Sequence, residues 1–204
     1  MNYANSASAL YLSRSKCELK RFAYVVASAC EGLRSEGKSP VIRTPQVLLV
    51  DDNPADVELA REASAGGKYR SKIHSEEDGD KALAYLRRVP LGGKGDGNKD
   101  KVDPIRPDLI VLDLNLPGKN GRLVLEELKR DPDLRTIPVI MFSTSQSSRD
   151  IVGCYQAGAN CYVNKPVSLE DFFTAIWSIE QFWFGSALLP EEGNDGSACK
   201  RSAD

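Results

Sequence analysis

The stretch Val47-Leu48-Leu49-Val50-Asp51-Asp52-Asn53-Pro54 decides the architecture, because four apolar residues, two carboxylates, a helix-capping residue and a proline follow one another without a break. An apolar run of that length, with no polar alternation, reads as a strand buried on both faces. Asn53 is suited to cap a helix whose first position is Pro54, and the pattern carries that helix to about Ala63. The same arrangement recurs downstream. Leu109-Ile110-Val111-Leu112 precedes Asp113 and a helix from about Gly121 to Arg130. Pro138 to Phe142 precedes Ser143 and Thr144, and Cys161-Tyr162-Val163 leads to Lys165-Pro166. A strand around Lys72 to Ser75, a turn at Asp78-Gly79 and a helix near Lys81 to Arg88 complete the set. Ser147 with Asp150, and Ser168 with Asp171, stand at capping-box spacing before the last two helices. Apolar strands that each feed a helix call for a parallel sheet covered on both faces, so the expected class is α/β with five βα units.

Outward from this core, the 204 residues are 41% apolar and 27% charged with a formal net charge of −2, the balance of an ordinary globular protein. No apolar run approaches the roughly 20 residues of a membrane helix, and no global positive field exists for nucleic acid. Five scattered cysteines (Cys17, Cys30, Cys154, Cys161, Cys199) without a CxxC pair suggest neither a disulfide framework nor a zinc site, and fit a reducing cytoplasm. Residues 1–45 carry a local charge of +4 against −6 for the remainder, which marks a boundary. Leu19, Phe22, Ala23, Val26 and Cys30 recur at helical spacing there. The segment reads as a basic extension, partly helical or disordered; Lys20-Arg21 before an apolar run also mimics a signal peptide. Residues 89–107 are rich in glycine and charge and read as a surface loop, and the tail 190–204 reads as disordered. The folded domain is therefore expected over 46–189.

In doubly wound parallel sheets, ligands sit beyond the carboxyl ends of the strands, where strand order reverses. Asp51 and Asp52 follow the first strand and Asp113 the third, and in a 2-1-3-4-5 order these strands are neighbours. Two like charges about 4 Å apart repel by roughly 4 kcal/mol at an effective dielectric near 20, so three converging carboxylates invite a cation. An all-oxygen ligand set with room for water suits Mg²⁺.

These residues resemble the receiver domains of two-component response regulators. The Asp51-Asp52 pair, the run Leu112-Asp113-Leu114-Asn115-Leu116-Pro117, Ser143 and Lys165-Pro166 occur in that family's order, over about residues 46 to 184. The resemblance implies a flavodoxin-like sheet of order 2-1-3-4-5 with helices on both faces. It implies that Asp113 accepts a phosphoryl group, and that Asp52, Asp113 and the backbone carbonyl of Asn115 bind Mg²⁺ directly, with Asp51 acting mostly through water. Lys165 and Ser143 would contact phosphoryl oxygens, Tyr162 would be the aromatic partner of the Ser143 switch, and Pro166 would follow a cis peptide. Phosphoryl transfer needs little beyond positioning and charge neutralisation, which such a set supplies. Each residue singly could be a helix cap or a solvated charge; the joint pattern carries the reading. A haloacid-dehalogenase-type site wants a second acid two residues after its nucleophile, and here that residue is Asn115. Gly92 to Gly97 lacks the Gly-Lys-Ser/Thr ending of a P-loop.

The single histidine, His74, falls in an expected strand, so the phosphoryl donor would be another protein, a sensor histidine kinase. Too little chain follows Lys165 for a DNA-binding effector. The last helix instead gathers Phe172, Phe173, Trp177, Phe182, Trp183 and Phe184. Phe172, Ile176, Ile179 and Trp183 form one stripe for the sheet, while Phe173 and Trp177 lie on a second, expected to serve a partner. The run Ser178 to Phe184 with Leu189-Pro190 is similar to single-domain response regulators paired with phytochrome-type kinases, a likeness that implies homodimers through this face. Other readings stay open: a phosphorelay intermediate, a kinase-binding adaptor that is not usefully phosphorylated, and a small nucleic-acid binder built on the basic extension.

Overall fold

The fold is taken from a computed structural model, which describes residues 43–88 and 105–190. The basic segment through residue 42, most of the glycine-rich stretch, the tail beyond 190, and Cys17, Cys30 and Cys199 lie outside the described residues. The elements alternate as the patterning requires. They are β1 (Gln46–Val50), α1 (Pro54–Gly66), β2 (Lys72–Glu76), α2 (Gly79–Arg88), β3 (Leu109–Leu112), α3 (Gly121–Arg130), β4 (Val139–Ser143), α4 (Ser148–Gln156), β5 (Cys161–Asn164) and α5 (Leu169–Gly185).

All strand pairs are parallel and the order is β2-β1-β3-β4-β5, the flavodoxin-like arrangement. The three inner strands are buried along their length, whereas edge strands β2 and β5 are only partly covered. Strand pleating divides the apolar residues between two cores. Leu48, Val50, Ile110 and Leu112 join Leu83, Leu125 and Leu128 of α2 and α3 on one face. Val47, Leu49, Val111 and Phe142 join Val57 and Ala60 of α1 and Phe172 and Ile176 of α5 on the other. Each fully buried side chain of this kind contributes about 1.5–3 kcal/mol.

Local chemistry sets the helix starts. Asn53 Oδ1 accepts from the Ala55 N–H at 3.1 Å with Pro54 at the first position, and Asn120 Oδ1 accepts from Arg122 N at 2.9 Å. At Gly121 an added Cβ would stand 2.0 Å from the Asp113 carbonyl oxygen, so only glycine lets α3 begin this close to β3. The Ser168–Asp171 box forms, the Asp171 N–H donating to Ser168 Oγ at 3.1 Å. The Ser147–Asp150 box does not: Ser147 makes no side-chain cap bond, its N–H donates to Ser145 Oγ at 3.4 Å, and the Asp150 carboxylate that would accept that N–H accepts the Ser145 hydroxyl at 2.6 Å. A second correction concerns Pro166. No described peptide bond is cis, so the Lys165–Pro166 bond is trans. The aim of Lys165 comes from its backbone N–H, which donates to the Ser143 carbonyl at 2.8 Å, and from the carboxylates around its ammonium.

Candidate functional site

Register builds the site. Val50 and Leu112 are partners across β1 and β3, so the next residues, Asp51 and Asp113, leave the sheet side by side, and the Asp113 N–H bonds the Val50 carbonyl at 2.9 Å. Asp51, Asp52 and Asp113 each place a carboxylate oxygen within 4.8 Å of the others. Asp51 and Asp113 are 2% and 7% exposed, while Asp52 stands open to solvent. Lys165, at the end of β5, reaches back over this crevice. Its Nζ lies 2.8 Å from Asp51 Oδ2, 2.8 Å from Asp113 Oδ2 and 3.0 Å from Asp56 Oδ2. The other oxygens of the inner pair accept backbone N–H groups, Asn53 N on Asp51 Oδ1 and Asn115 N on Asp113 Oδ1, both at 3.1 Å. Both carboxylates are thus held in one orientation.

Three carboxylates, Asp51, Asp56 and Asp113, face one ammonium. Burial pushes the Asp51 carboxyl up from its ordinary value, an effect that its bonds to Lys165 only partly offset. Burial alone would lower the Lys165 ammonium, but the hydrogen bonds it donates to Asp113 and Asp51 outweigh that and hold the group above the usual lysine range. The three clustered carboxylates are hard oxygen donors with uncompensated negative charge, one of them solvent-facing, and this donor set fits a hydrated divalent cation. Asn115 follows Asp113 by two residues at the mouth of the same crevice, on the exposed side.

Ser143 closes β4 and is fully buried. Its Oγ is 3.5 Å from the Ser145 N–H, and the Tyr162 hydroxyl donates to the Ser145 carbonyl at 2.9 Å. Tyr162 therefore points inward against the β4–α4 loop, and burial pushes its phenol up. Asp51, Asp52, Asp113, Asn115, Ser143, Lys165 and Tyr162 all gather at the carboxyl end of the sheet.

Phe173 and Trp177 lie elsewhere, on the flank of α5 beside α1. The Trp177 indole N–H donates to the Ala63 carbonyl at 2.7 Å, Phe173 packs edge-on against Trp177, and Phe184 does so against Tyr69. This flank of α5 lies along α1, because the helix is flanked by α1 on the sheet; Trp177 nevertheless remains 42% exposed. The outer aromatic is Phe182, 51% exposed. Two residues escaped sequence reading. Asp56 looked like an ordinary first-turn acid, yet it pairs with Lys165. Glu180, 3% exposed, sits between α5 and α1 with Oε1 2.6 Å from Ser64 Oγ and also bonded by the Ser71 hydroxyl. Its only signal was a carboxylate placed between two apolar stripes.

Comparison with known proteins adds the following. The response regulator receiver domain profile matches residues 47–177. The response regulator Rcp1 of Synechocystis is 38% identical over 144 residues, covering 71% of this chain and 92% of that protein. The crystal structure of the phosphorylated cyanobacterial phytochrome response regulator RcpA is similar with a TM-score of 0.63 and 41% identity, covering 73% of this chain and all of the other. The Mn²⁺-bound form of Rcp1 gives a TM-score of 0.62 and 37% identity, over 72% of this chain and 99% of its own.

Proposed function

The chain belongs to the response regulator receiver family, and from that premise we propose that it accepts a phosphoryl group from a partner histidine kinase on Asp113 and signals by altered association with other proteins. The observation that carries this reading is the clamp on Asp113: one carboxylate oxygen held by the Asn115 N–H and the other by the Lys165 ammonium, beside Asp51 and Asp52. A carboxylate oxygen of Asp113 attacks phosphorus in line, the bond from phosphorus to the donor's imidazole nitrogen breaks, and the imidazole keeps the electron pair. Lys165 turns its ammonium to a phosphoryl oxygen and Ser143 offers its hydroxyl to another. Asp51, Asp52, Asp113 and the Asn115 carbonyl would hold a divalent ion, taken as Mg²⁺. When bound, it neutralises charge on the transferring group.

Likeness to RcpA and Rcp1 supports a phytochrome-type kinase as the donor's class. The reading makes the chain a cytoplasmic signalling protein; no helix among the described residues is long and apolar enough to cross a membrane. It comprises one receiver over 46–189 that self-associates through the outer face of α5, where Phe182 stands about 200° around the helix from buried Glu180. Acetyl phosphate with Mg²⁺ should add one phosphoryl group to the wild type by intact mass. Asp113→Asn should take up none, since an amide is no nucleophile; equal uptake by both proteins would overturn the assignment.

A further inference from the structure

The Lys165 ammonium has three protons to give and meets three carboxylates, but only two of these belong to the acid cluster. Its Nζ donates to Asp51 Oδ2 and Asp113 Oδ2, each at 2.8 Å, and stands 3.0 Å from Asp56 Oδ2. Asp56 comes from neither strand end. It lies in the first turn of α1, after the Asn53 cap and Pro54, beside Val57, whose N–H donates to the Asn53 carbonyl at 3.2 Å and whose side chain is buried in the core. The backbone at Asp56 is therefore fixed, and its single methylene gives the carboxylate little reach. Among the described residues its side chain has no other ionic partner and no hydrogen bond. The helix dipole favours an acid in the first turn, but that preference is met at the surface and does not call for a buried ammonium at 3.0 Å.

The lysine has to be aimed. Its side chain is 6% exposed and its backbone N–H is tied to the Ser143 carbonyl at 2.8 Å, so the four-carbon stem alone decides where the ammonium stands. In the resting chain Asp51 and Asp113 hold it by hydrogen bonds. In the phosphorylated chain, on the reading above, Asp51 is a ligand of the divalent ion and Asp113 bears the phosphoryl group, so both of those acceptors are engaged elsewhere. Asp56 is the one carboxylate of the three that is left to the ammonium.

We propose that Asp56 is a positioning residue: it keeps the Lys165 ammonium over the crevice while Asp51 and Asp113 change partners, and so sets how firmly a phosphoryl group on Asp113 is held. The proposal rests on Asp113 being the phosphoacceptor. Asp56 acts through Lys165 and not on the phosphoryl oxygens themselves, which its own negative charge repels. The two effects have opposite signs, which makes them separable.

The test is a ¹⁹F NMR titration of the full-length protein with beryllofluoride, a phosphoryl analogue, at saturating Mg²⁺. Asp56→Asn keeps the size and removes the charge; it should weaken the adduct about tenfold, the middle of the range for groups in direct contact, and shift the bound fluorine resonances. Asp56→Glu restores the charge and should recover most of the affinity, whereas a role in packing alone would make Asn the better replacement. In Lys165→Met, adding Asp56→Asn should slow phosphoryl uptake from acetyl phosphate no further. Unchanged or tighter beryllofluoride binding by Asp56→Asn, an Asp56→Glu protein as weak as Asp56→Asn, or the same factor with and without Lys165 would each overturn the positioning role. The Mg²⁺ affinity of Asp56→Asn should fall far less than that of Asp52→Ala; an equal fall would make Asp56 a metal ligand instead. Intact mass after acetyl phosphate separates this proposal from the reading beneath it. A wild type left unmodified would sink the phosphoacceptor assignment, whereas a wild type modified on Asp113 with Asp56→Asn indistinguishable from it would sink the role of Asp56 alone.

Discussion

Lys165→Met removes the only ammonium among the described residues that faces Asp51, Asp56 and Asp113, at 2.8, 3.0 and 2.8 Å, and leaves a side chain of similar length. At an effective dielectric near 20, one such contact is worth about 6 kcal/mol before desolvation. Burial of the lysine, 6% exposed, cancels much of that sum, and the loss expected on breaking a buried ion pair is about 3–5 kcal/mol. This is a large fraction of the roughly 5–15 kcal/mol that holds a domain folded. Because the Lys165 pKa is raised in the fold, its stabilisation is complete below the unfolded lysine value and is lost only as pH rises through the folded one. At neutral pH the whole effect is therefore present. Urea unfolding in chelator should show the variant's midpoint well below that of wild type. Mg²⁺ should then restore more stability to the variant than to wild type, since no ammonium competes for the carboxylates; saturation at a hundred times Kd returns about 2.7 kcal/mol. Equal midpoints for the two metal-free proteins would refute the view that the carboxylates repel one another in the folded chain.

Further outcomes follow from the same geometry. The raised Asp51 pKa means that this group's contribution is favourable below its unfolded value and is lost as pH rises through the folded one, so Asp51→Asn should leave the metal-free domain as stable as wild type or more so at pH 7. The same variant, like Asp52→Ala, should weaken Mg²⁺ binding measured by titration calorimetry, and Asp51→Asn should steepen the loss of stability toward acid, because the group it removes adds stability as pH falls. Trp177→Phe gives up the bond to the Ala63 carbonyl and should cost about 1 kcal/mol in thermal or urea unfolding while the fold persists. A Trp177→Phe protein as stable as wild type would show that α1 contributes nothing to holding this ring. Phe182→Glu should shift sedimentation of the wild-type protein toward monomer without changing phosphoryl uptake; a wild type that is monomeric in both phosphorylation states would remove the α5 interface.

The parts of the fold that were legible are those in which a residue's neighbours in sequence decide its fate. Val47–Val50, Leu109–Leu112 and Val139–Phe142 are apolar on both faces, so they must be inner strands, and the carboxylates that follow two of them then meet by register alone. Strand-end position likewise brought Ser143 and Lys165 into view, while Tyr162 came only with the family resemblance. What escaped depends on neighbours distant in sequence. Asp56 becomes part of the site because Lys165 arrives from residues far along the chain. Trp177 has helical spacing that says nothing of its neighbours, and only the placement of α5 beside α1 gives its indole N–H the Ala63 carbonyl. The Ser147–Asp150 box fails although its spacing is right, because the Asp150 carboxylate accepts the hydroxyl of Ser145, five residues away. The geometry at Pro166 was an expectation carried by likeness, and nothing in the chain's own local chemistry demanded it.

The division of the apolar residues into two cores, with Leu48 and Val50 on one face of the sheet and Val47 and Leu49 on the other, has a bearing on how such a chain can change over time. A buried side chain over α2 and α3 and one over α1 and α5 share no contacts and are separated by the backbone of the sheet, so their substitutions should add in free energy with little coupling. The domain can therefore accumulate repacking around α3 and α4 while the half that carries α1 and α5 stays as it is. Descendants of one ancestor could exchange partners at one face and retain them at the other, with the acid cluster at the sheet's crest inherited intact by both.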